Sequence, residues 1–291
     1  MTYLAGAPVV VGVDGSAAAL EAVGFAARDA ARRRRALRVV HAFIWPLLRV
    51  PIGPSPAGPP TGGLRHQAEE FVAEAVAQAR ATAPDTPVTG EVVEGAAAPV
   101  LLREAGGAAL VVLGSRGLGG LSGLLIGSVA VQVTAHATCP VVVARGELRD
   151  TGPVVVGVDG SDLSDRAVGF AVESAALRGA ELLALHAWTH PVASGPGDIL
   201  PVAFDLEAFE AEGHRTLAEA VAGWGDRFPE VKIGRRLVRG AAADALIDES
   251  ADAQLLVVGA RGRGGFAGLL MGSVSHKALH HARCPVAVVR G

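Results

Sequence analysis

Short valine-rich runs alternate along this chain with longer stretches in which apolar residues recur at helical spacing. "PVVVGVD", Pro8 to Asp14, is a continuous apolar run of β-branched residues that stops at Asp-Gly-Ser. It predicts a strand buried on both faces. The alanine-rich "SAAALEAVGFAARDAARRRR" that follows predicts a helix with Ser16 as its N-cap. "ALRVVHAF" reads as a second strand. The stretch from Trp45 to Gly63 carries six prolines and four glycines and reads as a loop, as does its counterpart from Thr189 to Pro201. A helix from about Leu64 to Ala81 comes next, then a strand "PVTGEVVEG" and a helix from about Ala97 to Ala105. The strand "ALVVLG", a glycine-rich loop, a helix from Ser128 to Ala137 and the strand "PVVVAR" complete the pattern. Strands alternating with helices predict right-handed crossovers and a parallel sheet covered on both faces.

The whole pattern is written twice. "VVVGVDGS" occurs at Val9–Ser16 and again, unchanged, at Val154–Ser161, 145 residues on. The same offset relates His41 to His186, Gly95 to Gly240, Gly114 to Gly259, Gly127 to Gly272 and Cys139 to Cys284. A register that never slips over this length means duplication of a complete domain, since solenoid repeats recur every 20 to 50 residues. The prediction is an α/β protein of two tandem doubly wound domains, 1–147 and 152–291, joined near "RGELRDTG". In such open sheets ligands sit beyond the carboxyl ends of the strands, where the strand order reverses. Asp14, Ala42 and Gly114 are all predicted strand ends.

Composition narrows the possible roles. With 50% hydrophobic residues, 291 positions can bury two sizeable cores. A net charge of −3 argues against a protein that neutralises nucleic-acid phosphates. The basic run "RRRRALR", Arg32 to Arg38, opens with four consecutive arginines that point around a whole helical turn and reads as a solvated helix end that favours the macrodipole. The N-terminus lacks a basic leader, and no apolar stretch approaches the roughly 20 residues that cross a bilayer. These features predict a cytoplasmic protein with no membrane insertion. The two cysteines, each before a proline and an apolar run, have no neighbouring ligand pattern and read as buried thiols rather than metal or redox groups.

The chemistry lies in the glycine loops "GSRGLGGLSGLLIGS" and "GARGRGGFAGLLMGS". Their shared spacing is Gly114-x-x-Gly117, nine residues, Gly127-Ser128, repeated as Gly259-x-x-Gly262, nine residues, Gly272-Ser273. Glycine allows positive φ and close approach of the backbone, and a helix N-terminus offers free N–H groups and partial positive charge to an anion. Ser128 and Ser273 add hydroxyls, and Arg116 and Arg261 add guanidinium groups suited to phosphate. The loop is no Walker P-loop, because G-x-x-x-x-G-K-[ST] is absent. Nor is it the dinucleotide fingerprint, which opens the first helix of its domain.

The strand ending in Asp-Gly-Ser, "LRVVHAF", and the G-2x-G-9x-G-[ST] loop leading to "CPVVV" resemble the universal stress protein family, in particular its ATP-binding branch in tandem form. The resemblance spans both repeats apart from the proline-rich loops. It implies a strand order of 3-2-1-4-5 and ATP at the strand ends; Mg²⁺, which keeps waters and takes few carboxylates, is expected to assist through the phosphates. Asp14 and Asp159, beside Gly12, Val13, Gly157 and Val158, would meet the adenine and ribose, and the backbones of Ala42 and Ala187 would hold the base. Leu113, Gly114, Arg116 and Gly117 would line ribose and phosphates, and Gly127, Ser128 and Val129 the outer phosphates. Val258, Gly259, Arg261, Gly262, Gly272, Ser273 and Val274 would repeat this. The resemblance also implies that final-strand edges meet antiparallel. The expectation is that the two repeats' last strands pair, while homodimerisation uses another face.

An ATP hydrolase orients a water and holds a metal near the γ-phosphate, usually with carboxylates. Gly114–His136 and Gly259–His281 contain no Asp or Glu, so the phosphate end is read as built to hold. A carboxylate from the strand-1 Asp, the proline-rich loop or another subunit would still permit slow hydrolysis or phosphotransfer. His136 and His281 read as helix-end residues, and His41 and His186 as core or rim hydrogen-bonding groups. The predicted function is a nucleotide-dependent regulator of a stress response, acting on a protein partner that the sequence does not identify.

Overall fold

The structure, a computed structural model, describes residues 6–44, 61–118, 126–189, 206–263 and 271–290. The chain divides into two compact units, 1–145 and 146–291. The proline-rich stretches 45–60 and 190–205 and the middle of each glycine loop lie outside the described residues.

In the first unit β1 (Val9–Val13), α1 (Ala17–Arg32), β2 (Leu37–Phe43), α2 (Thr61–Thr82), β3 (Val88–Glu94), α3 (Ala97–Ala105), β4 (Leu110–Gly114), α4 (Ser128–His136) and β5 (Val141–Ala144) follow in order. The sheet is wholly parallel and runs β3-β2-β1-β4-β5. Val9 sits opposite Leu37 on one side and Leu110 on the other, so the direction of winding reverses at β1. Central strands read as continuous apolar runs because helices cover both faces: Val9, Val11, Leu37, Val111 and Val112 are fully buried. Each such side chain contributes about 1.5–3 kcal/mol.

The second unit holds β6 (Val154–Gly157), α5 (Asp162–Arg178), β7 (Leu182–Trp188), α6 (Leu206–Ala220), α7 (Trp224–Arg227), β8 (Ile233–Arg239), α8 (Ala242–Glu249), β9 (Leu255–Gly259), α9 (Ser273–His281) and β10 (Val286–Val289). Its sheet order, β8-β7-β6-β9-β10, is the same topology. The register is also conserved at the offset: Leu37 faces Val88 as Leu182 faces Ile233, and Val9 faces Leu110 as Val154 faces Leu255. The fold is therefore the α/β tandem doubly wound architecture with strand order 3-2-1-4-5. Among the described residues no helix is long and apolar enough to cross a membrane.

Three local readings change. The basic run is not simply a solvated helix end. α1 stops at Arg32, Arg34 takes φ 52°, and Arg33 folds back to donate to the buried Asp29 at 2.5 Å. Arg35 donates to the Ala7 carbonyl at 2.8 Å. A carboxylate with 1% exposure needs a partner, and the run supplies it. Helix α2 begins at Thr61 rather than Leu64. In repeat two the corresponding helix is broken, because Gly223 adopts φ 72° and α7 restarts after it.

Both cysteines are buried. Burial raises the Cys139 thiol to about 12 against a small opposing effect of nearby backbone hydrogen bonds. Native protein should leave Cys139 unlabelled by a disulfide reagent near pH 8, with labelling restored by denaturant. Because the folded state keeps the neutral thiol, its contribution to stability is complete below about pH 9 and is lost as pH rises from there through about 12. Rapid labelling of both thiols in the native state would contradict the packing.

Candidate functional site

The first turn after β1 begins the site. Ser16 caps α1, its Oγ accepting from Ala19 N at 3.2 Å, and Gly15 supplies the left-handed φ of 84° that the tight turn needs. Asp14 is then held at the strand end by two bonds: Oδ1 accepts from Ser16 N at 3.1 Å and Oδ2 from Leu118 N at 2.8 Å. The carboxylate thereby fastens the start of the glycine loop to the β1 turn. In repeat two Asp159 does the same, accepting from Ser161 N at 3.0 Å, Ser161 Oγ at 2.6 Å and Arg263 N at 3.0 Å. Strand β2 is tied in by His41, whose Nδ1 lies 2.9 Å from the Val13 carbonyl; His186 reaches the Val158 carbonyl at 2.7 Å. A carbonyl can only accept, so the proton sits on Nδ1 in both rings.

Beyond these strand ends each unit has a cleft, of about 400 Å³ in repeat one and about 500 Å³ in repeat two. Both fall in the size range of small-molecule sites. The first brings together Gly12, Val13, Asp14, Ala42, Leu113, Gly114, Arg116, Gly117, Gly127, Ser128 and Val129. The second gathers Gly157, Val158, Asp159, Ala187, Val258, Gly259, Arg261, Gly262, Gly272, Ser273 and Val274. Every residue that the sequence assigned to a nucleotide site thus lines the cleft of its own repeat.

One end of each cleft is receptive to an anion. The N-cap positions of helices α4 and α9 are Gly127 and Gly272, which offer no side chain to the N–H groups of the first turn. The leading N–H groups therefore have no intrahelical partner and carry the positive end of the helix dipole. Arg116 and Arg261 are exposed beside them, and among the described residues no ion pair engages either one. The lining also includes apolar side chains, in repeat one Val13, Val40, Ala42 and Leu101.

The glycines divide by what a side chain would meet. A Cβ on Gly114 would fall 2.7 Å from the Ala18 carbonyl oxygen, and one on Gly117 would strike the Asp14 carboxylate. Gly262 stands in the same relation to Asp159. These positions are glycine because protein approaches them. At Gly127 the nearest atom would be 3.8 Å away, an ordinary contact that a Cβ tolerates. None of Gly114, Gly117 and Gly127 has positive φ.

Sequence reading missed the first turns of α3 and α8, which bring Ala97 and Leu101 to one cleft and Ala242 and Leu246 to the other. A signal existed: Gly95 and Gly240 end their strands with φ of 135° and 151° and turn the chain back toward the cleft. Ser164 and Arg263 also line cleft two. Among the described residues no group of three or more His, Cys, Asp or Glu side chains is arranged to hold a metal.

Fold and site together define a tandem doubly wound α/β protein with one cleft per repeat at the switch point of each sheet. The chain belongs to the universal stress protein family, whose model matches residues 7–145 and again 151–290. It is 40% identical over 291 residues to Universal stress protein Rv2623 of Mycobacterium tuberculosis, covering 97% of this chain and 96% of that one. It is 41% identical over 293 residues to Universal stress protein Rv2005c of the same organism, with the same coverage. A crystal structure of a universal stress protein from Archaeoglobus fulgidus shares the fold, with a TM-score of 0.72 at 18% identity over 99% of both chains.

Proposed function

We propose that each cleft binds ATP and that the chain works as a nucleotide-dependent regulator in a stress response. The observation that carries this reading is the convergence, twice, of a helix N-terminus with no side-chain cap and an arginine without an ion pair among the described residues on a cleft that also has an apolar lining. Phosphates match the helix end and the arginine, and a base matches the apolar lining. Asp14 and Asp159 line their clefts and are suited to ribose hydroxyls: both oxygens of Asp14, and Oδ2 of Asp159, have a second lone pair beyond the bonds described. Mg²⁺ would be carried on the phosphates, since Mg²⁺ keeps several waters and takes few protein ligands.

Calorimetry on nucleotide-stripped protein should give close to two ATP per chain. Saturation at 100 times Kd should add about 2.7 kcal/mol to stability for each occupied site. A stoichiometry of zero overturns the reading, and one per chain overturns it for one repeat. Phosphate release on the time scale of minutes would instead favour a hydrolase or phosphotransferase on the same fold.

A further inference from the structure

The two clefts differ at one position that changes the charge facing a ligand. The residue after the second loop glycine is Leu118 in repeat one and Arg263 in repeat two. Leu118 is 65% exposed and does not line its cleft, whereas Arg263 does. Cleft one therefore sets one arginine, Arg116, against Asp14, while cleft two sets Arg261 and Arg263 against Asp159.

Arg263 is anchored by its backbone and loosely held by its side chain. Its N–H donates to Asp159 Oδ2 at 3.0 Å, fixing the Cα beside the cleft. Among the described residues its guanidinium makes one side-chain hydrogen bond, from Nη2 to the Gly160 carbonyl at 2.9 Å, at an exposed position. A guanidinium has five N–H donors, and exchanging one neutral carbonyl for phosphate oxygens replaces an ordinary bond with charge-assisted, bidentate ones. The carboxylate differs in the opposite sense. Asp159 takes a bond from the Ser161 hydroxyl, whereas in repeat one the Ser16 hydroxyl turns to the Arg116 carbonyl at 3.4 Å. The backbone N–H of Asp159 is further fixed by the buried Ser164 hydroxyl at 3.1 Å, where repeat one has Ala19.

We infer that Arg263 is a specificity-determining residue that reads the phosphate chain, so that cleft two selects a nucleoside triphosphate over the monophosphate more sharply than cleft one. The inference rests on the nucleotide reading above. Its attraction grows with the number of phosphates, and one added charge-assisted contact at an exposed site gives a difference on the order of tenfold.

The test uses full-length protein in magnesium-free buffer. Gly127→Leu blocks cleft one and reports cleft two, and Gly272→Leu does the reverse. ATP and AMP are titrated into each. The expected ATP-to-AMP affinity ratio is about tenfold higher in the Gly127→Leu protein. Adding Arg263→Leu to it should lower the ratio to that of cleft one, through weaker ATP binding with AMP binding retained. Adding Leu118→Arg to the Gly272→Leu protein should raise its ratio. Equal ratios at the two clefts overturn the inference alone, as does an Arg263→Leu effect that weakens ATP and AMP alike, which marks a structural clasp. Failure of either blocked protein to bind any nucleotide overturns the nucleotide reading for that cleft and the inference with it.

Discussion

Gly127→Leu is expected to abolish nucleotide binding in the first cleft, by about 100-fold or more, with little change in the fold. The backbone at Gly127 is extended, with φ −75° and ψ 149°, which any residue adopts. A Cβ there would lie 3.8 Å from the nearest described protein atoms, an ordinary contact that asks no neighbour to move. What it occupies is space beside the leading amides of α4, where phosphate oxygens would lie. Leucine is a poorer helix cap than glycine, so a stability loss of up to about 1 kcal/mol is expected. Gly117→Ala would be a less informative block, because its Cβ strikes the Asp14 carboxylate and dislodges the loop clasp as well. Calorimetry on the Gly127→Leu protein should count one ATP per chain. Two per chain, at unchanged affinity, would mean that the nucleotide does not use the end of α4.

How far these sites were legible depended on whether the cause of a residue was local. Strand β1 was readable because "VVVGV" is buried on both faces and its apolar run stops where the chain turns at Gly15. The duplication was readable for the same reason, since equal local sequences fold into equal registers. The role of each glycine was not readable. Gly114 and Gly117 look like ligand-facing positions beside Gly127, yet their neighbours are Ala18 and Asp14, about a hundred residues earlier in the chain. Only the parallel pairing of β1 with β4 brings them together. The same holds for Arg33, whose partner Asp29 gives no sign in the sequence of being buried. Leu101 and Ala97 reach the cleft because α3 starts at the end of β3, a consequence of the fold that helix periodicity does not reveal.

Gly114→Ala and Gly259→Ala should separate the two repeats, although the residues are equivalent in sequence. Neither glycine has positive φ, so alanine meets no backbone strain at either position. In unstrained positions the substitution stabilises by about 0.4–1 kcal/mol through the unfolded chain. Packing decides the sign. At Gly114 the new methyl would lie 2.7 Å from the Ala18 carbonyl oxygen, 2.8 Å from its carbon and 3.0 Å from Ala19 N, all backbone of the first turn of α1. That turn is held by the Ser16 cap and cannot yield without shifting the helix against β4. Overpacking of this kind costs about 1–3 kcal/mol, which outweighs the entropic gain. At Gly259 the nearest atoms are the Arg261 carbonyl oxygen at 3.2 Å and the Leu163 carbonyl oxygen at 3.3 Å, a fit that a shift of a few tenths of an ångström relieves. Denaturant unfolding of stripped protein should therefore place Gly114→Ala about 1–2 kcal/mol below the parent and Gly259→Ala within about 0.5 kcal/mol of it. Equal losses in the two variants would mean that α1 and α5 do not differ in how closely they approach their strands.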